Sequence, residues 1–513
     1  MSFVYRFSLL AAALALPMFA TTSVSAQDAA AEEADDAAPI RIPEAQTAFE
    51  QGKQLFVEGK FKEAAGQANQ ATTIDPGFAE AFILKGDAMR AAKDYEGAFQ
   101  AYSRATSIDG SLVGAYAGRG EVALELRNVD MASADLSRAL ELDPNNAQVL
   151  SSLGHLMVNY LGDATGALKR LDDALALNPN DARAYRDRGW AHANLREFTE
   201  AIADLQKAVE TDPADHENYE RLASVHLFQE QYQPAIDALT KAIEVYKPKQ
   251  RTDPPQFVNG YILRADAHMR LGDKATDPAI RQAEFEAGVA DTDAVLTLFP
   301  DRFPESGIAL YRRGRALRML ERYAEANDAF TNAIQNVPAG QDIAYLSEAY
   351  MFRGICWYYM KSYQLARGDF EQAAATGSGF QDPRVDLWIG LTYHKEGDYR
   401  DAIKAYSQAI SKDPSYSMAY VNRGRAYADL KEYNRAVESF NDAIRVEPGD
   451  AEHYYNTGRA YLKLDEFEQA ASFLELALLQ KNARPQMNRA MAEAMRGLGR
   501  DALAEEYERK AGG

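Results

Sequence analysis

Residues 390–448 read GLTYHKEGDYRDAIKAYSQAISKDPSYSMAYVNRGRAYADLKEYNRAVESFNDAIRVEP. In this stretch Gly390 is followed by Ala402, Tyr406, Ala409 and Pro414. After 34 residues, Gly424 is followed at the same offsets by Ala436, Phe440, Ala443 and Pro448. Apolar positions between these markers recur at helical spacing, so each period predicts one helix-turn-helix unit. The glycine lies on the first helix and the two alanines, seven apart, on the second, where small side chains let two backbones approach. The proline ends the unit because it cannot continue a helix. A bulky residue at a small position overpacks the contact at a cost of about 1–3 kcal/mol.

The same spacing extends outward over most of the chain. Gly86 leads to Ala98, Tyr102 and Ala105; Gly120 to Ala132, Leu136 and Ala139; Gly189 to Ala201, Leu205, Ala208 and Pro213. Gly314 leads to Ala326, Phe330, Ala333 and Pro338, and Gly354 to Ala366, Phe370 and Ala373; the first unit holds Gly52, Ala64, Ala71 and Pro76. These residues resemble the tetratricopeptide repeat. The resemblance implies an all-α fold, an α-solenoid (superhelix) of about 13 units, with partners bound in a concave groove lined by the first helices.

Departures from the period mark the organisation. Gly154 stands 13 residues before Ala167, and the extra residue predicts a longer turn near Leu161 and Gly162. The sixth unit has Ala223 in place of glycine. Asp253, Pro254 and Pro255 argue that residues 250–257 cannot continue a helix. The next unit, read as Ala265 with Ala287 and Ala294, carries about ten extra residues around Lys274 to Ala283. The chain divides into a signal peptide (1–26), a disordered acidic linker (27–44) and an N-terminal array of about six repeats (45–249). An irregular connection containing one repeat with an insertion (250–306) follows, then a second array of about five repeats (307–484) and a capping helix pair (485–513) whose polar outer face ends the stack.

The formal net charge of −20 argues against general nucleic-acid binding, which needs a basic face. Cys356, beside Trp357, is the single cysteine. No intramolecular disulfide can form, and we read the residue as a buried, inert thiol. Arg6, the apolar run Phe7–Phe19 and the tripeptide Val24, Ser25, Ala26 have the layout of a secretory signal cleaved after Ala26. The expected location is periplasmic or secreted, the alternative an uncleaved signal segment that anchors the chain to a membrane. No later segment approaches the ~20 apolar residues of a membrane helix.

No catalytic, cofactor or metal site is expected. The seven histidines are scattered without a second ligand at metal-binding spacing, and there is no glycine-rich phosphate loop or nucleophile elbow. Positions 2, 5, 9 and 12 of each first helix share one face, which the resemblance assigns to the groove. In the N-terminal half this face carries Glu80, Asp87, Glu121, Glu217 and Glu220 against Arg90, Arg183 and Arg186, with Trp190 also on it. In the C-terminal half the balance inverts, to Arg315, Arg318, Arg384, Arg425 and Arg459 against Glu348 and Glu452.

Tyr358 is a candidate aromatic anchor on the same face. Asn422 with Arg425, and Asn456 with Arg459, pair an amide and a guanidinium one turn apart. Family members that clamp a C-terminal carboxylate use such residues, although Val421 and Tyr455 stand where that clamp has a basic side chain. The expected partner is a protein or peptide with acidic or C-terminal carboxylate groups. The alternative for these arginines is salt bridging to neighbouring acids on a solvated surface. At the level of function, the alternative to a non-catalytic scaffold is a self-associating or complex-assembly component of the cell envelope.

Overall fold

The computed structural model describes residues 41–246, 256–298, 305–338, 343–377 and 381–512. The expected signal peptide, and the linker as far as residue 40, lie outside the described residues. Contacts divide the chain into two units, residues 1–122 and 123–513. The first contains α1 (Pro43–Val57), α2 (Phe61–Ile74), α3 (Ala79–Ala91) and α4 (Tyr95–Ile108), and the division falls within α5 (Val113–Glu125). The second continues with α6 (Val129–Leu142), α7 (Ala147–Leu156), α8 (Ala164–Leu177), α9 (Ala182–Asn194), α10 (Phe198–Thr211), α11 (His216–Phe228) and α12 (Tyr232–Val245). Then come α13 (Gln256–Lys274), α14 (Pro278–Leu298), α15 (Glu305–Met319), α16 (Tyr323–Gln335), α17 (Leu346–Tyr359), α18 (Tyr363–Ala375) and α19 (Pro383–Glu396). The last are α20 (Tyr399–Lys412), α21 (Ser417–Asp429), α22 (Tyr433–Val446), α23 (Ala451–Leu462), α24 (Phe467–Leu478), α25 (Met487–Gly497) and α26 (Asp501–Ala511). Within each unit consecutive helices pair into hairpins, such as α3 with α4 and α21 with α22, and no strand occurs among the described residues.

The recurring glycine has a direct steric cause. A Cβ on Gly390 would lie 2.4 Å from the Tyr406 ring, one on Gly424 2.5 Å from Phe440, one on Gly314 2.7 Å from Phe330, and one on Gly189 2.8 Å from Leu205. The residue 16 positions after the glycine therefore fills the space a side chain would take, and Tyr406 and Phe330 are fully buried there. The turn inside many of the hairpins also recurs. Lys93, Arg196 and Lys431 are left-handed, with φ of 63°, 64° and 63°. The next N–H reaches back to the first helix, from Asp94 to the Met89 carbonyl at 2.8 Å and from Glu432 to the Tyr427 carbonyl at 2.9 Å. This closure satisfies the helix-end carbonyls. Between hairpins, an Asp such as Asp413 accepts the Ser415 N–H at 2.9 Å, a local turn that ends the second helix.

Four expectations are corrected. Helix α1 starts at Pro43, before the expected Ala45, because proline is tolerated in the first helical turn. The extra residue of the fourth unit does not lengthen a turn: α7 runs on as a π-helical turn over Met157–Leu161, closed by Gly162 at φ 69°. Gly154 stays against Leu171, where a Cβ would come within 2.4 Å, and Asp163 caps α8 by accepting the Gly166 N–H at 2.8 Å. With both ends fixed, the surplus residue widens the helix. The insertion after Ala265 is absorbed as helix, with α13 and α14 reaching 19 and 21 residues, and the second-helix contacts fall one residue later than Ala287 and Ala294. Gly288, Thr292 and Val295 are buried, while Ala287 and Ala294 are half-buried; a Cβ on Gly288 would lie 3.4 Å from the Ala265 carbonyl. Finally, helix α13 already includes residues 256 and 257, directly after Pro254 and Pro255.

The final helix buries only Ala504. It turns outward ion pairs such as Lys510 with Glu506 at 2.7 Å. Cys356 is buried, and burial pushes its thiol up to about 12. No helix among the described residues is long and apolar enough to cross a membrane.

Candidate functional site

Two sets of arginines emerge, on different positions of the first helices. One set stands just before the small first-helix residue. Arg188 binds Asp204 through two contacts of 2.7 and 2.6 Å. Arg264 binds Asp291 at 2.9 and 2.6 Å, and Arg353 binds Asp369 at 2.8 and 2.6 Å. Each guanidinium also lies 5.6 Å from the ring of the tyrosine three residues earlier. These bidentate bonds tie the two helices of a hairpin together. They were not anticipated from the sequence, although Arg188–Asp204 and Arg353–Asp369 share the separation of 16 that the glycines already display.

The groove-face residues behave differently along the chain. Among the acidic candidates, Glu80 is paired with Arg41 at 2.9 Å. Asp87 accepts the Tyr102 hydroxyl at 2.6 Å, and burial pushes its carboxyl upward. Glu121 is paired with Arg90. Arg186 holds Asp215, and Glu217 at 3.3 Å; Arg183 faces Asp187 at 3.8 Å.

Of the C-terminal candidates, Arg384 is committed to Asp382 and faces Glu348 at 3.8 Å. Tyr358 stands edge-on to Trp388 with ring centroids 5.3 Å apart, and burial pushes its hydroxyl up to about 12. Asn422 donates to the Met418 carbonyl of its own helix at 2.9 Å. Arg315 and Arg318 lean over Phe352.

The remaining three candidates converge. Arg425, Asn456 and Arg459 line one open cavity of about 410 Å³, together with His394, Asp429 and Lys463. Helices α19, α21 and α23, with Lys463 just past the end of α23, supply these side chains, and Phe440 of α22 also lines the cavity. Arg425 reaches Glu452 at 3.2 Å, and His394 Nε2 lies 2.7 Å from Asp429. The exposed Arg459 packs 5.6 Å from the Tyr455 ring. Asn456 is only 7% exposed, and its Nδ2 has no hydrogen-bond partner. An orphan amide donor beside two guanidiniums is suited to an acceptor oxygen, because a buried donor left unpaired costs about 1–3 kcal/mol. Asp429 and Lys463 were missed because they lie one residue beyond the positions that define the face; His394 stands on that face, four residues after Gly390, and was read only as one of the scattered histidines.

Comparison with known proteins settles the family. Models described as tetratricopeptide repeat match residues 49–111, 277–341 and 389–445, 162–225, 427–494, and 113–146 and 216–248. The chain belongs to the tetratricopeptide-repeat family. Human tetratricopeptide repeat protein 13 is 30% identical over 142 residues, which span 28% of this chain and 15% of that protein. The chain is also similar to yeast Tom70 (16% identity, 91% of this chain and 96% of that one, TM-score 0.36). A further similarity is to the Cut9–Hcn1 hetero-tetramer of APC/C (14% identity, 88% and 96%, TM-score 0.37).

In this tetratricopeptide-repeat protein the π-helical turn has its own task. Asn159, placed by that turn, donates to Asp187 at 3.1 Å and accepts from Arg221 at 2.9 Å. His155 Nδ1 lies 2.9 Å from the same Asp187, and Arg221 covers the Trp190 ring at 4.3 Å. Although burial opposes it, His155 together with Arg183 and Arg186 holds the Asp187 carboxyl below the usual carboxylate range. Trp190 is thus sealed by a cation from the next repeat.

The histidines are less isolated than their spacing suggests. Glu447, Asp450 and His453 bring ligand-type atoms within 4.8 Å of one another. Each serves the fold, however: Glu447 accepts from Ser417 at 2.6 Å, Asp450 caps α23 at the Glu452 N–H, and His453 Nδ1 meets the Glu447 carbonyl at 3.1 Å.

Proposed function

We propose that this protein is a non-catalytic scaffold that acts outside the cytoplasm and holds a peptide or partner protein against the first-helix face of its repeats. Tetratricopeptide repeats make protein-interaction scaffolds, and the finer reading here is an acidic or C-terminal carboxylate seated in the α19–α23 cavity. The observation that carries it is Asn456, whose buried Nδ2 lacks a partner on the wall it shares with Arg425 and Arg459. A carboxylate accepts from the amide while its other oxygen meets the guanidiniums, a charge-assisted arrangement.

The export signal read at residues 1–26 supports action beyond the cytoplasm. Sequencing the N-terminus of the natively produced protein tests this, with Gln27 expected first. For the cavity, Arg425→Glu with Arg459→Glu is expected to weaken binding of an acidic peptide about tenfold or more, leaving the helical circular dichroism and Tm nearly unchanged. Undiminished binding in the folded double variant rejects the cavity.

A further inference from the structure

Arg315 and Arg318 stand three residues apart on α15 and therefore share a face of the helix. Their guanidinium carbons lie 6.0 and 4.8 Å from the centroid of one ring, that of Phe352; Arg315 is also 5.8 Å from Tyr311. The carboxylates around them are taken. Glu348 accepts the Tyr311 hydroxyl and faces Arg384 at 3.8 Å, and Asp266 holds Arg270 at 2.7 Å and faces Arg312 at 3.9 Å. Asp273 is the remaining acid that acts on both arginines; burial pushes its carboxyl upward, and Arg315 and Arg318 oppose this.

Arg318 itself is incompletely satisfied. Its Nε is buried without a hydrogen-bond partner, and its Nη2 meets only the Met319 sulfur at 3.3 Å, a weak acceptor. Burial, and the charge of Arg315, lower its affinity for its proton despite the opposing influence of Cys356 and Asp273. Two like charges share one aromatic ring, while Glu348 and Asp266 are bound to other partners. An added anion relieves both the repulsion and the missing hydrogen bond.

We infer that Arg315 and Arg318, over Phe352, form a second anion subsite that takes the carboxylate side chain of an acidic peptide segment. The peptide assignment rests on position. Helix α15 touches α17, α17 touches α19 and α19 touches α21, so this subsite and the α19–α23 cavity lie on one row of first helices, with Tyr358 and Trp388 between them. An extended chain with spaced carboxylates meets both, whereas a small anion has no use for the row. The subsite is carried by its own residues and stands whether or not the cavity binds.

The test uses the full-length mature chain and a fluorescent decaglutamate peptide, with decaglutamine as the uncharged probe. Arg315→Gln with Arg318→Gln is expected to weaken decaglutamate binding about tenfold or more, since charge-assisted hydrogen bonds are lost. Arg315→Lys with Arg318→Lys, which keeps the charge and loses the planar fork, falls between that variant and wild type. The ion-paired neighbour Arg313, 2.7 Å from Asp293, serves as control, and Arg313→Gln leaves affinity unchanged. If the Gln pair does not fold, Arg318→Lys alone carries the measurement, and wild-type affinity in that variant rejects the subsite.

Unchanged affinity in a folded Gln pair overturns the subsite, as does decaglutamine binding equal to decaglutamate. Inorganic phosphate that displaces the peptide at equal concentration overturns the peptide assignment. Loss with Arg425→Gln and Arg459→Gln but not with the Arg315 pair rejects this subsite and keeps the cavity. The reverse result keeps the subsite and rejects the cavity.

Discussion

Two stretches of the same first-helix face, α7–α11 and α15–α23, are both rich in arginine and use it in opposite ways. In the first, Arg183, Arg186 and Arg221 are each tied to an acid or amide of the array. In the second, Arg425 and Arg384 face acids, whereas Arg315, Arg318 and Arg459 rest on aromatic rings. Residue type therefore does not mark a binding surface; what matters is whether the chain already supplies the counter-charge. A paired arginine fixes one helix against another even when, like Arg188 and Arg221, it also lies against a ring; one that rests on a ring alone keeps its donors for something else.

The sharpest way to break this contrast is to remove an acid from the first stretch. Asp187→Ala strips His155, Arg183 and Asn159 of their common partner, and the expected loss of stability is about 2–4 kcal/mol, read as a lower denaturation midpoint in urea. A loss below about 0.5 kcal/mol would mean that the pairing there is decorative.

A smaller effect concerns Glu220 of α11, which lines a cavity of about 510 Å³ with Glu217, Arg221 and His216. Burial, then the charge of Glu217, push its carboxyl up to about 7. The folded state keeps a proton that the unfolded chain releases, so stability falls as pH rises from about 4.5 through about 7. Glu220→Gln removes that dependence. The variant is expected to be the more stable by on the order of 1 kcal/mol at pH 8 after solvent screening, and to match wild type at pH 4. Thermal melts at the two pH values check this, and a gap that widens on acidification contradicts it.

The smallest expected effect tests what the two stretches have in common. Arg196, between α9 and α10, and Lys431, between α21 and α22, share the left-handed turn at φ 64° and 63°. Replacing either by glycine relieves a strained backbone while adding freedom to the unfolded chain, terms of about 1 kcal/mol each and opposite sign. Both substitutions are expected to shift stability by no more than about 0.5 kcal/mol, and by the same amount. Unequal shifts would show that the two stretches differ in backbone geometry as well as in charge.

The fold was legible because the small residues report a local steric requirement, and Gly390 against Tyr406 repeats in hairpin after hairpin. The two insertions were legible in place and not in form. An extra residue before Ala167 reads equally well as a wider helix or a longer loop, and only the fixed contacts at Gly154 and Asp163 decide between them. At α14 the adjacent Ala287 and Gly288 are both small, so composition could not set the register. The Arg264–Asp291 pair sets it, because Asp291 lies three residues after Gly288 as Asp204 lies three after Ala201.

At the candidate site, the sequence brought Arg425, Asn456 and Arg459 to one face. It gave no sign that Asn422 turns back onto Met418 or that Arg384 is spent on Asp382. Those outcomes depend on side-chain partners that linear spacing does not record.

Cys356 supplies a built-in reporter. It lies fully buried on α17, close to Arg318, and burial holds its thiol in the unreactive protonated form. A thiol-modifying reagent can reach it only when the α15–α18 hairpins part, so the rate of labelling times the spontaneous breathing of the middle of the array. With no other cysteine in the chain, that clock needs no engineering, and a ligand seated on Phe352 would slow it.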